Sequence, residues 1–163
     1  MELKKMMTAV TTQAALLDEL LKLLERETTE LSGVDIAAMA QTNQAKEDLL
    51  KKISEHAQVM QQAIADMATR DGLAPESPFA VVAEHLAKGG HPEPLTWQVR
   101  LKSTAERIRQ VATMNHGIAE RFSSTIATSL NLVTRIINQS NVYGATGGYQ
   151  KNTTGAVMIN REA

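Results

Sequence analysis

The sequence predicts an all-α protein: an elongated antiparallel helical bundle or coiled coil of three long helices plus one short helix, with a flexible C-terminal tail. Three observations carry this. Apolar residues recur at alternating steps of three and four along most of the first 140 positions, the mark of a helix seam. All four prolines, Pro75, Pro78, Pro92 and Pro94, fall in residues 71–94 together with Gly72, Gly89 and Gly90. Aromatic residues are scarce (one Trp, two Tyr, two Phe), so Leu, Ile, Met and Ala must supply the buried area, as they do where helices pack along a line.

The first helix is expected over residues 2–31. Leu3, Met7, Val10, Ala14, Leu17, Leu21, Leu24, Thr28 and Leu31 form its seam. Leu16, Leu20 and Leu23 widen the stripe, so more than one neighbour is expected. Ser32-Gly33-Val34-Asp35 interrupts it. Gly33 is placed to stop the helix, and Ser32 with Asp35 three positions on resembles a capping box. The second helix, 34–69, carries Ile36, Met39, Asn43, Lys46, Leu50, Ile53, Ala57, Met60, Ile64 and Met67, a seam weakened by Asn43 and Lys46. Two long helices joined by a few residues form an antiparallel hairpin.

A short helix is expected over 77–88, with Ser77 as N-cap, Pro78 at the first helical position and Gly89 as its stop. Phe79, Val82 and Leu86 would face the hairpin. The last helix, 95–140, has a softer stripe: Trp97, Leu101, Thr104, Ile108, Val111, Asn115, Ile118, Phe122, Thr125, Ser129, Leu132 and Ile136. At 1.5 Å per residue it would run roughly 69 Å. A compact chain of this size has a radius of gyration of about 15 Å, so a rod with part of the last helix overhanging is expected. Residues 1–140 form one helical domain on this reading. Residues 141–163, rich in Gly, Asn and Thr with a short apolar patch at Ala156-Val157-Met158-Ile159, form the flexible tail.

Charge is near balance, 17 basic against 18 acidic residues, and no nucleic-acid-reading motif is present. Its distribution is uneven. Residues 1–70 carry 8 basic and 11 acidic residues, net −3, whereas 95–140 carry 6 and 2, net +4. The acidic front should attract the basic last helix, a weak antiparallel bias. There is no cysteine, hence no disulfide or thiolate metal site. The N-terminus does not read as a signal peptide and no apolar run is long enough to span a bilayer, so a cytoplasmic protein without membrane insertion is expected.

Catalytic and cofactor chemistry finds little footing. Glu-x-x-His pairs of the di-iron kind are lacking, since Ile53, Val82, Lys88 and Thr113 stand three residues before the four histidines. His85 and His91 flank Gly89-Gly90 and could meet with Glu84 or Glu93; the plainer reading is two exposed loop histidines. Gly144 to Gly148 lacks the Gly-Lys-Ser/Thr ending of a phosphate loop. No enzyme, cofactor or metal site is expected. The methionines Met6, Met7, Met39, Met60, Met67 and Met114 read as core filler, the other reading being an adaptable binding surface. Asn115-His116-Gly117 places two polar residues and a glycine in mid-helix. It reads either as a local kink or close helix crossing, or as a partner contact.

The order of parts resembles the FlgN family of flagellar export chaperones over nearly the whole chain. The matching segments are Leu16 to Glu27 with Leu31-Ser32-Gly33, then Asn115-His116-Gly117, Tyr143-Gly144-Ala145-Thr146-Gly147, and Ile159-Asn160-Arg161-Glu162-Ala163. The resemblance implies a chaperone that binds the hook–filament junction proteins FlgK and FlgL in the cytoplasm, keeps them unpolymerised, and delivers them to the export gate. It implies client binding by Leu130, Leu132, Val133, Ile136, Ile137, Val142 and Tyr143. It also implies docking of Tyr143 to the gate protein FlhA.

The residues point to the same place on their own. Leu132, Val133, Ile136 and Ile137 make a wide apolar stripe where the hairpin would run out of length to cover it, and an uncovered stripe is a partner site or a liability. The alternative is a self-assembling coiled-coil adaptor without an export client, a homodimer through the final helix.

Overall fold

The computed structural model describes residues 1–140, with side chains through residue 135. Among these residues the chain forms four helices: α1 (Glu2–Gly33), α2 (Ile36–Arg70), α3 (Phe79–Lys88) and α4 (Glu93–Ser140). Two compact units divide the chain, residues 1–119 and the chain from residue 120 on, and α4 continues across the boundary.

The first unit is built around α1. Met6, Ala9, Val10, Ala14, Leu20, Leu24 and Leu31 are buried along it. Near its N-terminus α1 meets α2 and α3 in one apolar cluster of Met6, Ala9, Val10, Ala63, Ile64, Met67, Ala68, Val82 and Leu86, with Phe79, Trp97 and Leu101 packed against it. Met6 and Met67 are wholly enclosed, as core filler should be. Met114 is not; it is 49% exposed. Further along, Leu20, Leu24 and Leu49 form a second cluster, flanked by Leu16, Ile53, Ile108 and Val111. Losing a side chain such as Met67 from the first cluster would cost about 2–5 kcal/mol.

Polar pairs give the directions of the helices. Lys5–Asp66, Gln13–His56, Glu27–Lys46 and Glu30–Thr42 run opposite ways along α1 and α2, so the hairpin is antiparallel. Asp18–Arg100 and Glu25–Arg107 keep the same offset, so α4 runs parallel to α1. The acidic front does meet the basic last helix, but on α1, where the alignment is parallel rather than antiparallel. The two pairs lie on the surface and contribute little each.

Lys5 and then Gln62 hydrogen-bond Asp66 and hold its carboxyl below the ordinary range; the same bond to Asp66 raises Lys5. The stabilisation from Asp66 is present above the usual carboxylate value and is lost as pH falls through the lowered one. That from Lys5 is lost only as pH rises through its raised value.

The seam expected on α2 is correct at one end and rotated at the other. Ile64 and Met67 are buried, but Ile36, Asn43 and Leu50 are exposed, and Thr42 and Leu49 are buried instead. A strict seven-residue repeat drifts about 20° per heptad on a straight helix. Over four heptads that drift approaches the 100° between neighbouring residues, which moves the buried line back by one position.

Helix ends depart from expectation in a consistent way. α2 stops with Leu73 N–H donating to Ala68 O (2.8 Å) and Gly72 N–H to Thr69 O (3.2 Å), Gly72 having φ +73°. α3 stops likewise, His91 N–H to Leu86 O and Gly90 N–H to Ala87 O, with Gly90 rather than Gly89 left-handed at φ +91°. α1 closes with the same pair, Asp35 N–H to Glu30 O (3.0 Å) and Val34 N–H to Leu31 O (3.3 Å), but the left-handed residue is Val34, φ 55°. Gly33 is therefore still helical, one residue short of where a glycine relieves strain.

Ser32 and Asp35 form no capping box. Ser32 Oγ donates to Thr28 O, and Asp35 itself caps α2 by accepting from Ala38 N–H. At α3 the cap position is Pro78, with no side-chain hydrogen bond, not Ser77. α4 starts before residue 95, at Glu93, because Pro94 in a first turn lacks only an N–H that would go unpaired there.

The hairpin-turn end of the first unit is polar. Asn115 is buried on α4; its Nδ2 donates to Leu24 O (2.8 Å) and to Glu27 Oε2 (2.9 Å), and its Oδ1 accepts from Thr28 Oγ1 (2.6 Å). Lys46 pairs with the other oxygen of Glu27. Glu30 Oε1 accepts from Arg26 and Thr42, while its buried Oε2 has no partner among the described residues. A side chain at Gly117 would meet nothing within 4 Å, so the mid-helix glycine marks no close crossing.

Two stability tests follow. Val34→Gly should raise stability by about 1 kcal/mol, because a β-branched residue is strained at positive φ. Gly33→Ala should add about 0.5–1 kcal/mol, as in any helical position with room for a methyl; urea melts of the single and double variants measure both. Asn115→Ala should cost about 1–3 kcal/mol by stripping partners from Leu24 O, Glu27 and Thr28. Asn115→Asp should cost more, since it sets a carboxylate against Glu27 and a carbonyl.

Candidate functional site

Beyond the half-buried Phe122 the described side chains of α4 stand in solvent. Every described residue from Ser123 to Arg135 is exposed. Leu130 is 61% exposed, Leu132 57% and Val133 51%. Ile136 and Ile137 lie on α4, but their side chains, like Val142 and Tyr143 altogether, lie outside the described residues. Ile126, 44% exposed, belongs to the same stripe and was not among the expected site residues. Ile126, Leu130 and Val133 stand at i, i+4 and i+7 on one face, and Leu132 widens it to one side.

The hydroxyl residues between them are less polar than their names suggest. Thr125 Oγ1 donates to Arg121 O (2.9 Å), Thr128 Oγ1 to Ser124 O (3.0 Å) and Ser129 Oγ to Thr125 O (2.9 Å). Each hydroxyl proton is thus committed to the helix's own backbone. Covering these residues with an apolar partner breaks no donor bond, so the usual cost of burying a hydroxyl is largely absent. The stripe's effective apolar width is therefore greater than a count of Leu, Ile and Val gives.

The charge is one-sided. No Asp or Glu occurs between Glu120 and Glu162. Arg121 and Arg135 are exposed, and neither makes an ion pair among the described residues.

The first unit carries a different kind of concavity. An open groove of about 400 Å³ runs between α1 and α2, lined by Thr8, Ala9, Thr12, His56, Val59 and Ala63, with Met1, Lys4 and Lys5 at one end. Two of its chemical groups are already engaged. Lys5 is bound to Asp66 at 2.7 Å. His56 Nδ1 lies 2.8 Å from Gln13 Oε1; Gln13 Nε2 faces Ile53 O, an acceptor, so the histidine proton sits on Nδ1. His85 and His91 are both exposed. Among the described residues no group of three or more His, Asp or Glu side chains is placed to hold a metal ion, and no helix is long and apolar enough to cross a membrane.

An exposed apolar helix face suits contact by area and shape rather than by a few converging polar groups.

A family model described as FlgN protein matches residues 1–151, which takes in both units and nearly the whole chain. No curated protein and no solved structure matches it. With a family model matched over 151 of its 163 residues and four helices without a strand among the described residues, the chain belongs to the FlgN family, a family of flagellar export chaperones.

Proposed function

We propose that this protein is the export chaperone of the hook–filament junction proteins FlgK and FlgL, which it binds before secretion, keeps unassembled in the cytoplasm and passes to the export gate protein FlhA. The observation that carries this is the exposed stripe of Leu130, Leu132 and Val133 on α4 in a chain of this family. Ile136 and Ile137 extend the stripe by helical period, and Val142 and Tyr143 follow it into the tail, residues 141–163. Tyr143 is the residue that meets the gate. The helical part, 1–140, serves as the support that presents this surface.

The physical logic is mutual protection. A junction protein that must not polymerise has assembly surface to hide, and the chaperone has apolar helix to cover. Binding removes both from water. About 25 cal/mol is gained per Å² of apolar surface buried, against the cost of ordering the partners.

Removing residues 131–163 should leave the first unit's thermal midpoint within about 2 °C of the full chain, because no residue of the two apolar clusters is lost. The same truncation should abolish co-purification of FlgK and FlgL. Leu130→Asp with Val133→Asp should weaken capture at least tenfold in the full chain with helicity unchanged. Tyr143→Ala should lose FlhA binding and only weaken client binding, since the other six client-binding residues are kept. Retained capture by the truncated chain would remove the proposal. Sedimentation showing a tight dimer and no client would favour the self-assembling adaptor instead.

A further inference from the structure

The exposed end of α4 is amphipathic, but its polar side carries almost no charge. On a helix of 3.6 residues per turn, Ile126, Leu130 and Val133 fall within about 60° of one another, and Leu132 widens the apolar arc to about 160°. Thr125 and Ser129 lie inside that arc, between Leu132 and Val133, and their hydroxyls donate to Arg121 O and Thr125 O. Neither therefore brings a free donor into it. The other side holds Ser123, Ser124, Asn131 and Thr134, and residues 122–134 contain no charged side chain. Arg121 and Arg135 stand at the two ends of the stretch, Arg121 beside Leu132 at the edge of the arc and Arg135 across the helix from Val133.

Charge along this part of the chain has one sign. From residue 121 to 161 there are four basic residues, Arg121, Arg135, Lys151 and Arg161, and no acidic one. An anionic surface is attracted over the whole of this stretch and meets no carboxylate that opposes it.

We infer that residues 121–140 of α4 seat on an anionic lipid bilayer, the helix lying in the plane of the headgroups with Ile126, Leu130, Leu132 and Val133 turned into the acyl boundary. No helix among the described residues is long and apolar enough to cross a membrane, so this one lies on the surface. The helix is already formed in the free chain, so binding has no backbone to order. Its backbone groups are satisfied within the helix, as contact with acyl chains requires. Between the two arginines the arc offers no directional group to be read, and a fluid acyl phase needs none. The arginines reach the phosphates from the edge and from the far side through their long aliphatic stems. A second copy of this stretch is a poorer occupant, since it brings only further positive charge. The inference goes beyond the export-chaperone reading: it concerns the same face in a chain that carries no client, and it stands or falls without one.

The test floats the full chain with vesicles of equal parts phosphatidylcholine and phosphatidylglycerol, and with vesicles of phosphatidylcholine alone, helicity being checked by circular dichroism. The natural chain should rise with the anionic vesicles and much less with the neutral ones. Leu130→Ser with Val133→Ser should weaken that binding roughly tenfold or more. Arg121→Gln with Arg135→Gln should weaken it roughly threefold to tenfold at low salt and less at high salt. A polarity-sensitive dye on Leu130→Cys, in a chain that has no other cysteine, should shift to the blue on vesicles, and the same dye on Arg109→Cys should not. No flotation of the natural chain at lipid excess would overturn the inference, as would flotation that Leu130→Ser/Val133→Ser leaves unchanged or that neutral vesicles match. Capture of FlgK and FlgL, measured on the same protein without lipid, tells the two readings apart: capture without flotation names a protein as the occupant and leaves the chaperone reading standing. A dimer undone by Leu130→Ser/Val133→Ser, again without flotation, names a second copy and overturns the inference.

Discussion

The amide of Asn115 has two protons, and both are committed to α1, one to a backbone carbonyl and one to Glu27. That single commitment sets the register of α4 against α1. Apolar contacts such as those of Leu20 and Leu24 are non-directional and by themselves fix a register only loosely. A buried amide slides less easily, because displacing Asn115 gives up its hydrogen bonds to Leu24 O, Glu27 and Thr28. The ion pairs Asp18–Arg100 and Glu25–Arg107 agree with this register but could not impose it from the surface.

Character changes along the first unit in a way that suits a support. Its α3 end is enclosed and apolar, with Met6, Met67 and Val82 out of solvent entirely. Its hairpin-turn end is a layer of Glu27, Glu30, Thr42, Lys46 and Asn115. Cohesion is concentrated at one end and directional specification at the other. From Ser123 to Arg135 every side chain of α4 is exposed, apolar ones included.

Much of the fold was legible in the sequence, since period and punctuation are local signals. The α1 seam, the placing of Phe79, Val82 and Leu86, and the Pro/Gly connection all follow from residue spacing alone. What spacing could not reveal was rotation: the buried line on α2 needed the true helical period, not an ideal heptad, to move from Leu50 to Leu49. Nor could it show that the left-handed turn lands on Val34 beside an available glycine, because that depends on where the tertiary packing of Leu31 ends the helix. Asn115 was visible as an oddity, but only the position of Glu27 on a neighbouring helix makes it a structural residue. At the candidate site the leucines were readable, whereas the bonding of Thr125, Thr128 and Ser129 to their own backbone was not. A threonine looks equally polar in a sequence whether its proton is free or spent.

Trp97 sits half-buried against the apolar cluster of the first unit, with the Arg100 guanidinium 4.8 Å from its ring centre. It is the chain's one indole. The molecule thus carries a built-in fluorophore whose emission follows the packing of that cluster and the cation stacked above it. Tryptophan emission will therefore register the melting of the supporting bundle, whereas the two tyrosines, Tyr143 and Tyr149, both belong to the tail.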